Sequence, residues 1–350
     1  MREPVREISR SFALDNNKCF PHSIMKILVT GSSGHLGEAL LRTLPSMGHE
    51  TVGIDILPSS FTQFVGSIAD RSLVREAMQG VDVVLHTATL HKPHVGTHTR
   101  QDFIDTNITG TLNLLEEAVL AGGRSFVFTS TTSTFGSALT PPADAPAAWV
   151  TEEVVPVPKN IYGVTKTAAE DLCRLFYRNQ KLPCIILRTS RFFPEEDDQK
   201  KVRDAYDDLN SKANEYLYRR ADIEDVVSAH LSAMEKAPKI GFGRYIISAT
   251  SPFTKDDLPM LHANAREVVK RLYPEYEALY ERLGWKMLPV IDRVYVNEKA
   301  RNELGWAPKY DFRHVLNCLE KGLDFRSPLT ALIGKKGYHT ETFEEGPYPL

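Results

Sequence analysis

The chain has 350 residues, of which 42% are hydrophobic and 25% charged, and its formal net charge is −3 at pH 7. This length suits a large α/β domain with a second lobe, and the weakly acidic balance gives no basic field for nucleic acid or an anionic membrane. No apolar run approaches the ~20 residues of a spanning helix, and the four cysteines lack metal-ligand spacing, so a reduced, cytoplasmic protein is expected.

Residues 1–24 are polar, mixed in charge and without the apolar core of a secretory signal, which predicts a disordered extension. Residues 26–37 read KILVTGSSGHLG. Ile27, Leu28 and Val29 make a short buried strand, and Gly31, Gly34 and Gly37 then open an amphipathic helix. In such a strand–turn–helix, glycines let backbone N–H groups approach a pyrophosphate at the positive end of the helix. A dinucleotide site is therefore expected at Gly31, Ser33, Gly34, His35, Leu36 and Gly37. A second strand, Glu50–Asp55, ends in an acid. Asp55 can accept both ribose hydroxyls and would repel a 2′-phosphate, which favours NAD over NADP.

A third strand is predicted at 62–65, followed by Ser67 and Ile68 and a helix at 71–78. A buried strand at 81–86 leads into Thr87, Ala88 and Thr89. Apolar residues at helical spacing, from Phe103 to Val119, predict one helix over 99–121. A fifth strand at 125–129 runs into Ser130, Thr131, Thr132, Ser133 and Thr134. Residues 138–158, dense in Pro and Ala, read as a loop. Tyr162-Gly-Val-Thr-Lys166 then opens a strong helix, with Tyr162 and Lys166 on one face. Strands alternating with helices predict a Rossmann-type doubly wound parallel sheet, with ligands beyond the carboxyl ends of the strands.

A free phenol titrates near ~10, too high for a base at neutral pH. A neighbouring ammonium and an oxidised nicotinamide would stabilise the phenolate. Tyr162 can then exchange a proton with a substrate oxygen while hydride moves at carbon, with Thr131 bonded to that oxygen and Lys166 holding the nicotinamide ribose.

These motifs together resemble an extended short-chain dehydrogenase/reductase of the NAD-dependent epimerase/dehydratase family. The markers are TGSSGHLG, VDVVLHTAT, NITGTLNLLEEA, FTSTTSTFG, YGVTK, CIILRTS and LGWAPKY, spread over residues 25–325. The resemblance implies catalysis by Thr131, Tyr162 and Lys166, and a supporting role for Asn107 beside the cofactor. It also implies that a homodimer can form through the helices at 99–121 and 162–180. Four departures bear on the ligands. Ser67-Ile68 stands where relatives carry Asp-Ile against the adenine. Thr132-Ser133 replaces the Asp-Glu pair of the 4,6-dehydratases. Arg191-Phe192-Phe193-Pro194 replaces an Asn-x-Tyr-Gly-Pro pattern. Tyr218 occupies the place of the arginine for a nucleotide diphosphate, with Arg219 and Arg220 adjacent.

The expected division is an NAD-binding domain at 25–190 and 222–250, a smaller substrate lobe at 191–221 and 251–325, and a surface tail at 326–350. His91, Lys92, His94 and His98 share one loop with no carboxylate among them. A metal is not expected there; contact of His91 and Lys92 with an anionic or polyhydroxylated substrate is. Thr132, Arg191 and Arg219 complete the expected substrate residues. Three readings stay open: an epimerase on a sugar or nucleotide-sugar carbon, an NAD(P)-dependent dehydrogenase or carbonyl reductase on a non-nucleotide substrate, and a non-catalytic dinucleotide sensor.

Overall fold

Short β-branched runs become the central strands here because they are buried on both faces, as a parallel sheet covered by helices requires. The computed structural model describes residues 24–339 together with 343, 344, 346 and 349. Its strands are β1 (Lys26–Thr30), β2 (Glu50–Asp55), β3 (Phe64–Val65), β4 (Val83–His86), β5 (Ser125–Thr131), β6 (Ala148–Val150), β7 (Cys184–Thr189), β8 (Phe242–Ile247) and β9 (Arg293–Tyr295). Seven form one parallel sheet in the order β3-β2-β1-β4-β5-β7-β8. The order reverses between β1 and β4, the point at which such sheets open a crevice. Thr30 pairs with His86 and Thr131 with Thr189, so these strand ends lie side by side.

One apolar layer packs the helices His35–Thr43 and Ile223–Ile240 on the sheet through residues such as Leu40, Val226 and Met234. The opposite layer gathers Val74, Leu114, Ala169 and Phe176. A separate core, including Leu217, Leu261, Val269, Tyr280, Phe312 and Leu316, holds most of the later helices. No helix among the described residues is long and apolar enough to cross a membrane.

The structure corrects four expectations. The third strand is only Phe64–Val65. The loop at 138–158 contains β6, which pairs with β9, a long-range pairing that local composition cannot encode. The helix at 99–121 divides into Arg100–Ile104, a π turn at Asp105–Thr109 and Gly110–Leu120. Such turns carry an extra residue and often mark functional positions; this one carries Asn107.

The fourth correction concerns the tail. Pro328–Ile333 is a helix whose Leu329 and Ile333 are buried in the main core. Asp222 accepts from Ser327 N at 3.1 Å and from Thr330 Oγ1 at 2.9 Å, which docks this helix. The expectation for residues 1–24 falls, Ile24 apart, outside the described residues. The LGWAPKY segment is anchored by Asp225, whose carboxylate accepts from Lys309 N and Tyr310 N while its carbonyl accepts from Trp306 Nε1. Burial raises the Asp225 carboxyl to about 7 against those bonds.

Candidate active site

A cavity of about 1210 Å³ lies over the carboxyl ends of β1, β2, β4, β5 and β7. One end is built by the glycine turn. Gly31 has φ +71°, and a Cβ there would come within 2.9 Å of Ala88 N and Thr87 Oγ1. Gly31, Ser33, Gly34, His35 and Leu36 line the cavity, as do Asp55, Ser67, Ile68, Thr87, Ala88 and Thr89. Gly37, expected among the cofactor residues, is not at the cavity wall. A Cβ on Gly37 would lie 1.9 Å from Gly31 O, so its lack of a side chain lets the helix close on the turn.

Hydrogen bonds fix this end. Ser33 N donates to Asp55 Oδ2 at 2.9 Å, and Leu57 N donates to Asp55 Oδ1 at 2.9 Å. Thr87 N and Ala88 N both donate to Thr30 Oγ1 at 3.1 Å. Thr30 Oγ1 also meets His86 Nδ1 at 2.7 Å, and His86 Nε2 meets Thr111 Oγ1 at 2.9 Å. Burial holds His86 neutral, well below the ordinary histidine range.

Asn107, given a supporting role beside the cofactor, is likewise absent from the cavity wall. Its Oδ1 accepts from Leu90 N and Thr89 Oγ1 at 2.9 Å, and its Nδ2 donates to Thr165 Oγ1 at 3.0 Å. It ties the loop after β4 to the helix that carries Tyr162.

That helix is Ile161–Gln180, capped by Asn160, whose Oδ1 accepts from Gly163 N at 3.1 Å. Tyr162, in its first turn, lines the cavity beside Thr131 and Thr132. Thr131 neighbours the phenol of Tyr162 and favours its ionisation, yet burial pushes the phenol up to about 12. Lys166 differs from expectation. It is 2% exposed and lies behind the wall, its Nζ donating to Thr129 O at 2.7 Å and sitting 4.0 Å from the Phe128 ring centre. Burial pulls this ammonium down to about 7. With its charge weakened by burial, Lys166 does not lower the phenol in this state.

The other end of the cavity is charged. Lys92 pairs with Asp198. Arg191 NH1 lies 3.1 Å from Asp197 and 3.2 Å from Asp198, and Arg219 NH2 lies 3.3 Å from Asp197 and 2.7 Å from Glu215. Arg220 NH1 also meets Glu215, at 2.7 Å. Burial works against the ionised acids, but Arg219, Arg191 and Arg220 hold Glu215 at about 2. Thus Lys92, Arg191 and Arg219 reach the cavity as expected, but already engaged.

His91 is half-buried, its ring centre 6.2 Å from that of Tyr162 and 5.5 Å from Phe193. Burial first, then His94 and Lys166, keep it well below the ordinary histidine range. His94 packs on His98 at 5.0 Å and on His339 at 5.4 Å. Among the described residues, no three His, Cys, Asp or Glu gather in a metal-binding group.

Several lining residues were not anticipated: Phe193, Glu195, Arg293, Tyr295, Tyr338 and His339. Glu195 Oε1 meets His35 Nε2 at 2.7 Å and accepts from Lys336 N and Gly337 N at 2.9 and 3.1 Å. Burial opposes ionisation, but His35 and these amides hold Glu195 at about 2. The tail thus crosses the cavity mouth, with Lys336 also paired to Glu38 of the first helix. Only its aromatic residues hinted at this in the sequence.

The model of the NAD dependent epimerase/dehydratase family matches residues 27–247. An uncharacterized protein of Sinorhizobium fredii is 29% identical over 83% of this chain and 77% of its own length. A UDP-glucose 4-epimerase of Rhizobium leguminosarum is 26% identical over 83% of this chain and 94% of its own. Among solved structures, an NAD-bound short-chain dehydrogenase/reductase superfamily protein from Agrobacterium tumefaciens has a TM-score of 0.58 at 24% identity, over 83% of this chain and 95% of that one. A UDP-glucose 4-epimerase from Thermotoga maritima, solved with UDP-glucose, has 0.58 at 22% identity over 86% and 100%. These structures share the fold. With the family model spanning the sheet from β1 to β8 and the tyrosine–threonine site above it, the chain belongs to the NAD dependent epimerase/dehydratase family.

Proposed function

We propose that this protein interconverts a secondary alcohol and a ketone by NAD-dependent hydride transfer, on a sugar or sugar-like carbon. The observation that carries the reading is that Thr131 and Tyr162 line the same cavity as the glycine turn and Asp55. The residues present fit NAD. A Cβ at Gly31 would press on Ala88 N and Thr87 Oγ1 and force the turn off the loop after β4, backbone N–H groups at the helix start suit a pyrophosphate, and the fixed Asp55 carboxylate suits an adenosine ribose without a 2′-phosphate. Bound NAD supplies the hydride acceptor and donor and, when oxidised, a positive ring.

Tyr162 takes the carbinol proton as the C–H hydrogen leaves with its electron pair, and returns it when the ketone is reduced. Thr131 orients the reacting oxygen. Lys166 leaves Thr129 O to hold the nicotinamide ribose, and regains charge as it does so. Net oxidation with exchange of the cofactor is the second reading, favoured by the paired state of the cations that would otherwise grip a nucleotide diphosphate. A non-catalytic sensor would have no use for two such hydroxyls at the cavity wall. A homodimer through the packed helices Gly110–Leu120 and Ile161–Gln180 belongs to the same proposal, supported by exposed Leu120, Val164 and Leu175; sedimentation tests it.

Mass spectrometry of the purified protein tests the function. NAD or NADH released on denaturation is expected. With added NAD, growth of nicotinamide absorbance marks a dehydrogenase, and inversion of the carbinol without it marks an epimerase. A protein that neither carries nor binds NAD overturns the reading.

A further inference from the structure

A movable cover needs a fixed base, a fastening and little buried surface between them. The tail has all three. Its base is the helix Pro328–Ile333, held by buried Leu329 and Ile333 and by the bonds to Asp222. Past that helix, none of the residues from Gly334 to His339 is buried. Gly334 and Gly337, at φ +64° and +73°, give this strap two points where the backbone turns freely.

The path of the strap shows what lies beneath it. Lys336 pairs with Glu38, on the helix that follows β1. His339 Nε2 donates to Pro93 O at 3.1 Å, in the loop that follows β4. Between them, the ring centre of Tyr338 lies 6.2 Å from that of His35 and 5.7 Å from that of His91. The strap therefore bridges the β1 side to the β4 side, over the crevice where the strand order reverses. In such sheets a dinucleotide lies in that crevice. Lys336, Gly337, Tyr338 and His339 line the same cavity as Gly34 and Thr87.

The fastening is Glu195. One of its oxygens meets His35 Nε2 at 2.7 Å and accepts from Lys336 N at 2.9 Å and Gly337 N at 3.1 Å. Glu195 thus joins the strap to the first residue of the helix at the glycine turn. A segment held by polar bonds, with no buried side chain of its own, can open without unfolding the core.

We propose that residues 334–339 form a clasp that opens to admit the dinucleotide and closes over it, with Glu195 as the catch. This rests on the reading that the crevice holds NAD.

Stopped-flow fluorescence of NADH with the full chain tests it, by direct binding and by displacement with excess NAD. A clasp slows entry and exit together, whereas a fixed wall contact slows exit alone. Glu195→Gln keeps the shape of the catch and removes its charge. Association and dissociation rates should both rise about tenfold, the worth of a hydrogen bond to a charged group, with Kd within about threefold of the native value. Tyr338→Ala, on a residue outside the core, should raise both rates by a smaller factor. If Glu195→Gln does not fold, Tyr338→Ala decides. Native rates in the folded variants overturn the proposal. So does faster dissociation at an unchanged association rate, which would make the strap a wall and not a gate. A native chain that binds no NADH would instead defeat the functional reading, and the clasp with it.

Discussion

The two ends of the cavity handle charge in opposite ways. At the glycine turn, the groups that suit an anion are the first backbone N–H groups of the helix His35–Thr43, while the amides of Ser33 and Leu57 fix the carboxylate of Asp55. At the other end, the charges sit on long side chains and already satisfy one another. A backbone cradle needs no counter-ion and can stand ready. A buried guanidinium without a partner carries a desolvation penalty, so it recruits a carboxylate. Counting arginines near a site therefore says little about which anion it accepts.

Variants at the two ends should separate these modes. The largest effect is expected where they meet. Tyr162→Phe should lower turnover by about 10²–10⁴-fold, the range of general acid–base catalysis, while calorimetry finds NAD binding intact. At the turn, Gly37→Ala places a Cβ against Gly31 O. It should cost about 3 kcal/mol, the upper end of overpacking, and weaken NAD together with the melting temperature. Asp55→Asn keeps the shape and removes the charge. NAD affinity should fall roughly tenfold or more, as for a hydrogen bond to a charged group, and discrimination against NADP should shrink.

Lys166 gives a smaller effect that depends on pH. Its folded value, about 7, lies below that of a free lysine, so the unfolded chain binds the extra proton between those values. Stability must then rise with pH from about 7 upward and be lowest below it. Denaturant unfolding of the native chain should show this rise, by up to about 3 kcal/mol between pH 7 and 9 at ~1.4 kcal/mol per unit. Lys166→Met should abolish it.

At the tail, deleting residues 335–350 removes Tyr338 and His339 from the mouth and the amides that hold Glu195. Release of NAD should quicken severalfold by stopped-flow fluorescence. An unchanged rate would show that the strap does not cover the cofactor.

The nucleotide end was legible in the chain because its determinants are local. A glycine at φ +71°, a strand that ends in Asp55 and a tyrosine four residues before a lysine on one helix face all follow from short-range geometry. The same holds for the alternation that builds the parallel sheet. Local pattern also misled, because spacing does not report depth. Gly37 and Asn107 stand one step behind the surface they shape, and Lys166 bonds a strand carbonyl.

The charged end is settled by long-range contact. Lys92 meets Asp198, and Glu195 meets His35 and Lys336, across 106, 160 and 141 residues of chain. No window of sequence reveals whether such a charge is spent on a neighbour or kept for a ligand. That depends on which segments the fold brings together and on how much water it leaves between them.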